Sequence, residues 1–345
     1  MRSWMQRLGS ALITLALACA ACAPSANSTA TPAAQMFRIG VITQAGPIAD
    51  KSFNQAAWAG AQAAAQAVGG AAEYIETQTS KDYAANIARF GDQGYDVIIT
   101  IGFGLSQATL VAARRYPASH FIGVDQFSVD APPNLAGLIF HEDQAGYLAG
   151  VLAAKMTKTG VIAAVLGSDL VPPIVAFKEG YAAGAKSARA DVRLIADFYP
   201  GGLDTAFSDP DWGAATAGRA LEQGADVVFG AGGLTGSGAL RAAAARVATN
   251  PDTFCIGVDS DQWETVPEAR PCLLSSAMKL IEPGVVALVR QAKDGQFPSG
   301  NFFGDVGLAP FHGFDSQIPA EVKALLDVTV KGLKDGSITT GYVSK

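Results

Sequence analysis

Histidine, cysteine and positive charge are all scarce in this chain. Only His120, His141 and His312 occur in 345 residues. None sits in a recognisable nucleophile–base motif and no Gly-x-Ser-x-Gly turn is present, so the usual acyl-transfer machineries lack their parts. The formal charge is −6, from 25 basic and 31 acidic residues. With no basic patch to release counterions from phosphates, no nucleic-acid partner is expected. Long apolar runs are missing too. The stretch Leu8 to Ala18 is too short to span a bilayer as a mature helix, and nothing downstream is longer and as apolar. Of the four cysteines, Cys19 and Cys22 have the spacing of a redox or zinc motif but stand beside a signal-like segment. Cys255 and Cys272 each begin a predicted strand. Two buried free thiols are expected there, with a disulfide as the alternative should those strands be neighbours. No metal and no cofactor is expected.

The N-terminus points to a compartment. Arg2 and Arg7 precede the apolar stretch, and Cys19 follows Leu15-Ala16-Leu17-Ala18, the pattern of a secretory signal ending at a cysteine. It resembles a bacterial lipoprotein lipobox, which implies cleavage before Cys19 and lipid on its sulfur, with Cys22 as the alternative. Residues 20–35 are almost entirely Ala, Pro, Ser, Thr and Asn, a composition that makes a flexible spacer rather than a core. The expectation is a signal peptide over 1–18, a lipidated tether over 19–35 and a globular part from Met36, anchored outside the cytoplasm on the bacterial cell membrane. Loss of Arg2 and Arg7 with the signal leaves 23 basic residues and a charge of −8. Roughly 310 globular residues exceed what one core usually organises, so two lobes are expected.

The most informative segment is Asp50-Lys51-Ser52-Phe53-Asn54-Gln55. It follows a predicted strand, Phe37 to Thr43, and opens an Ala-rich helix running to about Val68. In open α/β sheets ligands bind at such a place, beyond the strand's carboxyl end. The alternative is a plain N-cap, with Asp50 or Ser52 satisfying helix N–H groups and Phe53 packing as a staple.

The chain also repeats itself. Gly94-Tyr-Asp-Val-Ile-Ile99 leading to Phe121-Ile-Gly-Val-Asp125 is matched by Gly224-Ala-Asp-Val-Val-Phe229 leading to Cys255-Ile-Gly-Val-Asp259. Short apolar runs without polar alternation read as buried parallel strands, and the Ala-rich stretches between them as covering helices. Two similar α/β lobes follow, with Asp125 and Asp259 just beyond a strand end in each. For either Asp alone a turn cap is the competing reading; the match between halves favours a shared site.

These residues carry a family resemblance. Asp50 to Gln55, Ile122-Gly-Val-Asp125, Phe177-Lys-Glu-Gly-Tyr181, Gly230-Ala-Gly-Gly233, Ile256-Gly-Val-Asp-Ser-Asp-Gln262 and Gly307-Leu-Ala-Pro-Phe311 resemble the basic membrane protein family of extracytoplasmic lipoproteins, from Phe37 to the C-terminus. The resemblance implies two Rossmann-like lobes with parallel sheets in the type I periplasmic-binding-protein arrangement. It implies a substrate-binding component of an ABC importer, with permease and ATPase subunits as partners and a nucleoside, purine by preference, held between closing lobes. The expected division is 36–145 with a return segment near 280–310, and 146–279 with a C-terminal segment over about 311–345. The implied ligand set is Asp50, Ser52, Phe53, Asn54, Asp125, Phe177, Gly232, Gly233, Asp259 and Lys279. Within it Phe53 and Phe177 would sandwich the base, Asn54 and Asp125 would bond its edge, and Asp259 with Lys279 would hold the ribose. Two departures stand out: Gln44 replaces a frequent Asp, and the loop Gly232-Gly233-Leu234-Thr235-Gly236 carries an extra residue.

Taken without the family, Lys279 is equally a solvated helix-start lysine, and Phe177 a core residue. Aromatic faces, Asp acceptors and a diol are nonetheless a coherent combination. Other classes fit less well. Gly230 to Gly236 is half a dinucleotide fingerprint with the wrong spacing. A lactose-repressor-like regulator would need a DNA-binding helix pair where the signal segment stands. A nucleosidase-like enzyme, or a binder of another polar ligand such as a sugar, is the alternative to a non-enzymatic nucleoside receptor.

Overall fold

The computed structural model describes residues 36–44 and 46–343. The expected signal peptide, Cys19, Cys22 and the tether lie outside the described residues. The elements run β1 (Arg38–Thr43), α1 (Phe53–Val68), β2 (Ala71–Ile75), α2 (Tyr83–Gly91), β3 (Val97–Ile101), α3 (Ser106–Arg115), β4 (His120–Val124) and β5 (Leu135–Ile139). Then come α4 (Glu142–Met156), β6 (Val161–Leu166), α5 (Pro172–Ala188), β7 (Arg193–Phe198), α6 (Pro210–Glu222), β8 (Val227–Ala231), α7 (Gly233–Arg246) and β9 (Phe254–Asp259). The chain closes with α8 (Gln262–Thr265), β10 (Leu273–Lys279), α9 (Ile281–Lys293), β11 (Gly300–Phe303), β12 (Val306–Leu308) and α10 (Ala320–Asp335).

Two six-stranded sheets result, ordered β11-β5-β4-β3-β1-β2 and β12-β10-β9-β8-β6-β7. The orders are the same when read along each half, which is the structural form of the sequence repeat. Every described pairing is parallel except β12 with β10. The central strands β3 and β8 are buried along their whole length, as runs without polar alternation require when helices cover both faces of a sheet. Helix α1 is amphipathic through small residues: Ala57, Gly60, Ala61, Ala64 and Ala65 are buried. It stops at Gly69, whose left-handed backbone returns its N–H to the carbonyls of Ala65 and Gln66. No described helix is long and apolar enough to cross a membrane.

The Gly in each Ile-Gly-Val-Asp run has a packing reason. A Cβ on Gly123 would collide with the Gln126 carboxamide, and one on Gly257 with that of Gln262. Each glutamine folds back over its own strand. The aspartates that follow, Asp125 and Asp259, take positive φ angles of 59° and 63°, so the chain breaks out of the strand at the same step in both halves.

The segment returning to the first sheet ends with β11, and β12 pairs with β10 of the second sheet. One sequence expectation needs correction. Cys255 and Cys272 are disulfide-bonded, with Cα atoms 5.2 Å apart, not free thiols. Strands β9 and β10 are neighbours in register, Leu273 opposite Cys255, which brings both thiols to the same end of the sheet.

Candidate functional site

In each sheet the strand order reverses direction next to the first strand of that half, between β1 and β3 and between β6 and β8. Loops beyond the carboxyl ends of such strands form the crevice where α/β sheets hold ligands. Here the two crevices face one another. Gln44, Asp50, Gly102 and Phe103 from the first sheet, and Val171, Gly232 and Gly233 from the second, line one cavity. Its enclosed volume is about 60 Å³, smaller than a small-molecule site needs, within a wider space of about 560 Å³ that includes open solvent at the mouth.

Asp50 does the work of a helix cap. Its Oδ1 accepts from the backbone N–H groups of Ser52 at 2.9 Å and Gln55 at 3.1 Å, and Oδ2 from Asn54 at 2.9 Å. Burial is the main influence on this carboxyl and outweighs those bonds, raising its pKa to about 6, with the charge of Asp259 adding to the rise. Ser52 holds the N-cap position but makes no side-chain cap bond. Its hydroxyl donates instead to Asp259 Oδ2 at 2.7 Å and to the Val258 carbonyl at 3.3 Å, across the cleft. Phe53 is no staple either: its ring lines the cavity, 4.3 Å from the Lys279 ammonium.

Lys279, the last residue of β10, is the centre of charge. Its Nζ lies 2.6 Å from Asp125, 3.4 Å from Asp259 and 3.7 Å from Glu142. All four side chains are buried. Desolvation opposes the lysine's charge, but Asp125, Asp259 and Glu142 outweigh it and hold its pKa above the ordinary value. Desolvation raises the Asp125 pKa in spite of Lys279, and it raises Glu142 to about 8, helped by Asp125. Asp125 Oδ1 is buried with no hydrogen-bond partner among the described residues, so the cavity contains an acceptor waiting for a donor. Carboxyl groups outnumber the one cation, and anionic ligands are disfavoured.

The cavity is lined by eight of the ten residues named from sequence: Asp50, Phe53, Asn54, Asp125, Gly232, Gly233, Asp259 and Lys279. Ser52 stands behind them through Asp259. Phe177 is the exception. It is fully buried in the core of the second lobe, 6.1 Å from the Phe229 ring and with its own ring 5.6 Å from the Lys279 ammonium, so it borders the charge cluster without lining the cavity. The apolar lining from that lobe is Val171, Ile174 and Phe207. The two glycines are there for space: a Cβ on Gly232 would lie 2.9 Å from the Gly167 nitrogen, and one on Gly233, at φ +57°, 2.9 Å from the Phe207 carbonyl oxygen. Gln44, in place of the frequent Asp, is buried and accepts from the Gly104 N–H. Asp125 shares Lys279 with Asp259, the two carboxylates lying on the same ammonium. Phe207 and Glu142 were not singled out from sequence. Phe207 lies in the loop before α6 with no motif around it, and Glu142 reads as an ordinary acid in a helix first turn.

Comparison with known proteins agrees with this architecture. Residues 37–304 match the Bmp family model, described as ABC transporter substrate-binding protein PnrA-like. The chain is 31% identical to the ABC transporter nucleoside-binding protein BmpA of Lactococcus lactis, over 95% of this chain and 96% of that one. It is 28% identical to an uncharacterised lipoprotein of Pyrococcus abyssi, over 86% and 74% of the two chains. A solved ABC transporter solute-binding protein of Aeropyrum pernix superposes with a TM-score of 0.80 at 24% identity, covering 90% of this chain and 94% of that chain, which shows the same fold. Taken together they point to a substrate-binding protein rather than an enzyme, and the chain belongs to the Bmp family of PnrA-like ABC transporter substrate-binding proteins.

Proposed function

We propose that the chain captures a nucleoside between its two lobes, outside the cytoplasm, and presents it to the permease of an ABC importer. The observation that carries this reading is the buried group at Lys279: two lobes contribute acid to it, Asp125 from the first and Asp259 from the second, and one Asp125 oxygen has no partner. A vicinal diol supplies hydroxyl donors to such a cluster, whereas a phosphate or carboxylate would meet like charge. Phe53 and Phe207 offer faces for a flat base, and Asn54, Gln44 and Asp50 offer polar edges. In this arrangement Asp125 joins Asp259 and Lys279 at the sugar end, and Phe177 supports the site from the core. The nucleoside-binding description of the Lactococcus relative supports the ligand class.

The lobes that close are 36–145 with the return through α9 and β11, and 146–279 with the segment from β12 onward. Melting shifts across ribonucleosides, free bases, sugars, nucleotides and amino acids test the reading. A ligand that binds only the folded state adds RT ln(1 + [L]/Kd), about 2.7 kcal/mol at a hundredfold excess over Kd. Purine ribonucleosides should give the largest shifts. Shifts from sugars or amino acids alone would contradict the reading, and release of free base from a nucleoside would make the protein a nucleosidase.

Anchoring at Cys19 belongs to the same proposal, supported by the lipoprotein description of the Pyrococcus relative. Cys19→Ser should abolish fatty-acid labelling in a bacterial host; loss only with Cys22→Ser would move the attachment site.

A further inference from the structure

The Asp50–Gln55 segment holds one residue that the cavity does not use. Lys51 is in the left-handed region at φ 66°, a conformation that a residue with a side chain adopts only when its surroundings impose it. Its side chain is exposed. Its carbonyl is the part that is engaged. Thr265 Oγ1 donates to that oxygen at 2.7 Å, Gln262 Nε2 at 3.3 Å and Ser260 Oγ at 3.5 Å. All three donors belong to the second lobe, on β9's exit and on α8, while Lys51 belongs to the first. The turn that points the carbonyl across the cleft is set by Asp50, which takes the Ser52 N–H.

The pseudo-symmetric partner shows that this crossing is not a by-product of the repeat. Gln126 and Gln262 both lie over the glycine of their own Ile-Gly-Val-Asp run. Gln126 sends its Nε2 back into its own lobe, to the carbonyls of Thr100 at 3.2 Å and Gly102 at 3.0 Å. Gln262 anchors its Oε1 on the Val258 N–H at 2.9 Å, and its Nε2 donates both to Ser237 Oγ of its own lobe at 3.4 Å and across to the Lys51 carbonyl at 3.3 Å. The difference is local in sequence: the glutamine comes directly after Asp125 but three residues after Asp259, and the intervening Ser260 and Asp261 start α8. Lys51, Ser260, Gln262 and Thr265 are all absent from the cavity lining.

We infer that the Lys51 carbonyl and the hydroxyl and amide donors of Ser260, Gln262 and Thr265 form a closure latch, which holds the two lobes together around the ligand without touching it. The latch sets how long a bound ligand stays by fixing the fraction of protein that is closed; apparent affinity falls in proportion when the competent state is less populated. Thr265 is its main positioning residue, because it makes the shortest bond and its hydroxyl has no other partner among the described residues.

Hydrogen–deuterium exchange on the ligand-free full chain tests this directly, because it does not depend on which ligand binds. Thr265→Val keeps the shape and removes the donor. Exchange should rise in α8 and also in the Asp50–Gln55 peptide of the opposite lobe, and Thr265→Ser should restore both. With a ribonucleoside as probe, the dissociation rate should rise about three- to tenfold, the scale of one hydrogen bond. Faster exchange confined to residues around 262–266, or an unchanged Asp50–Gln55 peptide, would reduce Thr265 to a local structural residue and overturn the latch. Failure of every nucleoside to bind would instead count against the proposed ligand and leave the exchange result to decide the latch.

Discussion

Replacing Lys279 with methionine is the sharpest perturbation of the charge cluster. Methionine keeps an unbranched stem in a position that is 3% exposed and removes only the ammonium, leaving Asp125, Asp259 and Glu142 without the cation that lies 2.6, 3.4 and 3.7 Å from them. Removing one partner of a buried ion pair costs about 3–5 kcal/mol. That cost should depend on pH. Asp125 and Glu142 already have raised pKa values through burial, and without Lys279 they would rise further. A carboxyl whose folded pKa exceeds its unfolded value binds more protons when folded, so its contribution to stability falls as pH climbs from the unfolded to the folded value. Lys279→Met should therefore be most damaging near pH 8 and least near pH 5, where the carboxyls can take up protons. Urea midpoints of the ligand-free parent and variant at both pH values supply the measurement, with equal slopes as the check that the same transition is compared. A penalty that is the same at both pH values, or under about 1 kcal/mol at the higher one, would refute the coupling of lysine and carboxyls.

Two further outcomes follow from the site. Glu142 is held at about 8 against an ordinary 4.5, so the folded state gains a proton between those values and the parent loses stability as pH rises through that window. Glu142→Gln should remove this carboxyl's share of the slope, each pKa unit being worth about 1.4 kcal/mol, and leave the shares of Asp50 and Asp125; a stability difference from the parent that does not change between about pH 5 and pH 8.5 would contradict it. Phe53→Ala and Phe207→Ala should each weaken nucleoside binding by about 1–3 kcal/mol with little change in the melting of the empty protein. Phe177→Ala should instead cost about 3–5 kcal/mol of stability, and the reverse pattern in calorimetry and melting would return Phe177 to the cavity wall.

Much of this was legible because it is local. Runs such as Val97 to Ile101 and Val227 to Phe229 are buried strands because no polar alternation marks a solvent face, the one hydroxyl among them, Thr100, being hydrogen-bonded to Thr109, and Gly69 ends α1 because it can adopt the left-handed cap. The two Ile-Gly-Val-Asp runs are readable as equivalent positions because the backbone departs from both strands in the same way. What was missed depends on assembly. Phe177 and Tyr181 sit four apart on α5, which is equally the spacing of a core stripe and of a wall, and no sequence pattern shows that both rings pack on Phe229 while that of Phe177 also comes 5.6 Å from the Lys279 ammonium. Phe207 reaches the cavity from an irregular loop, with no periodicity to mark it. Glu142 owes its raised pKa first to burial and then to Asp125 and Asp259, 17 and 117 positions away in the chain, against the opposing charge of Lys279, 137 positions away. The disulfide depends on the register of β9 with β10, which no pattern in either strand encodes.

The proposed nucleoside lies in the cleft with its sugar hydroxyls on the acid cluster. Calorimetric titration of a purine ribonucleoside, its 2′,3′-dideoxy analogue and the free base into the parent and into Asp259→Ala tests it most directly. An acceptor left without its donor in a buried site costs on the order of 1–3 kcal/mol, so the ribonucleoside should bind the parent at least about tenfold more tightly than the other two ligands, and Asp259→Ala should erase most of that difference. Equal affinities for nucleoside, dideoxynucleoside and base in the parent would contradict the account.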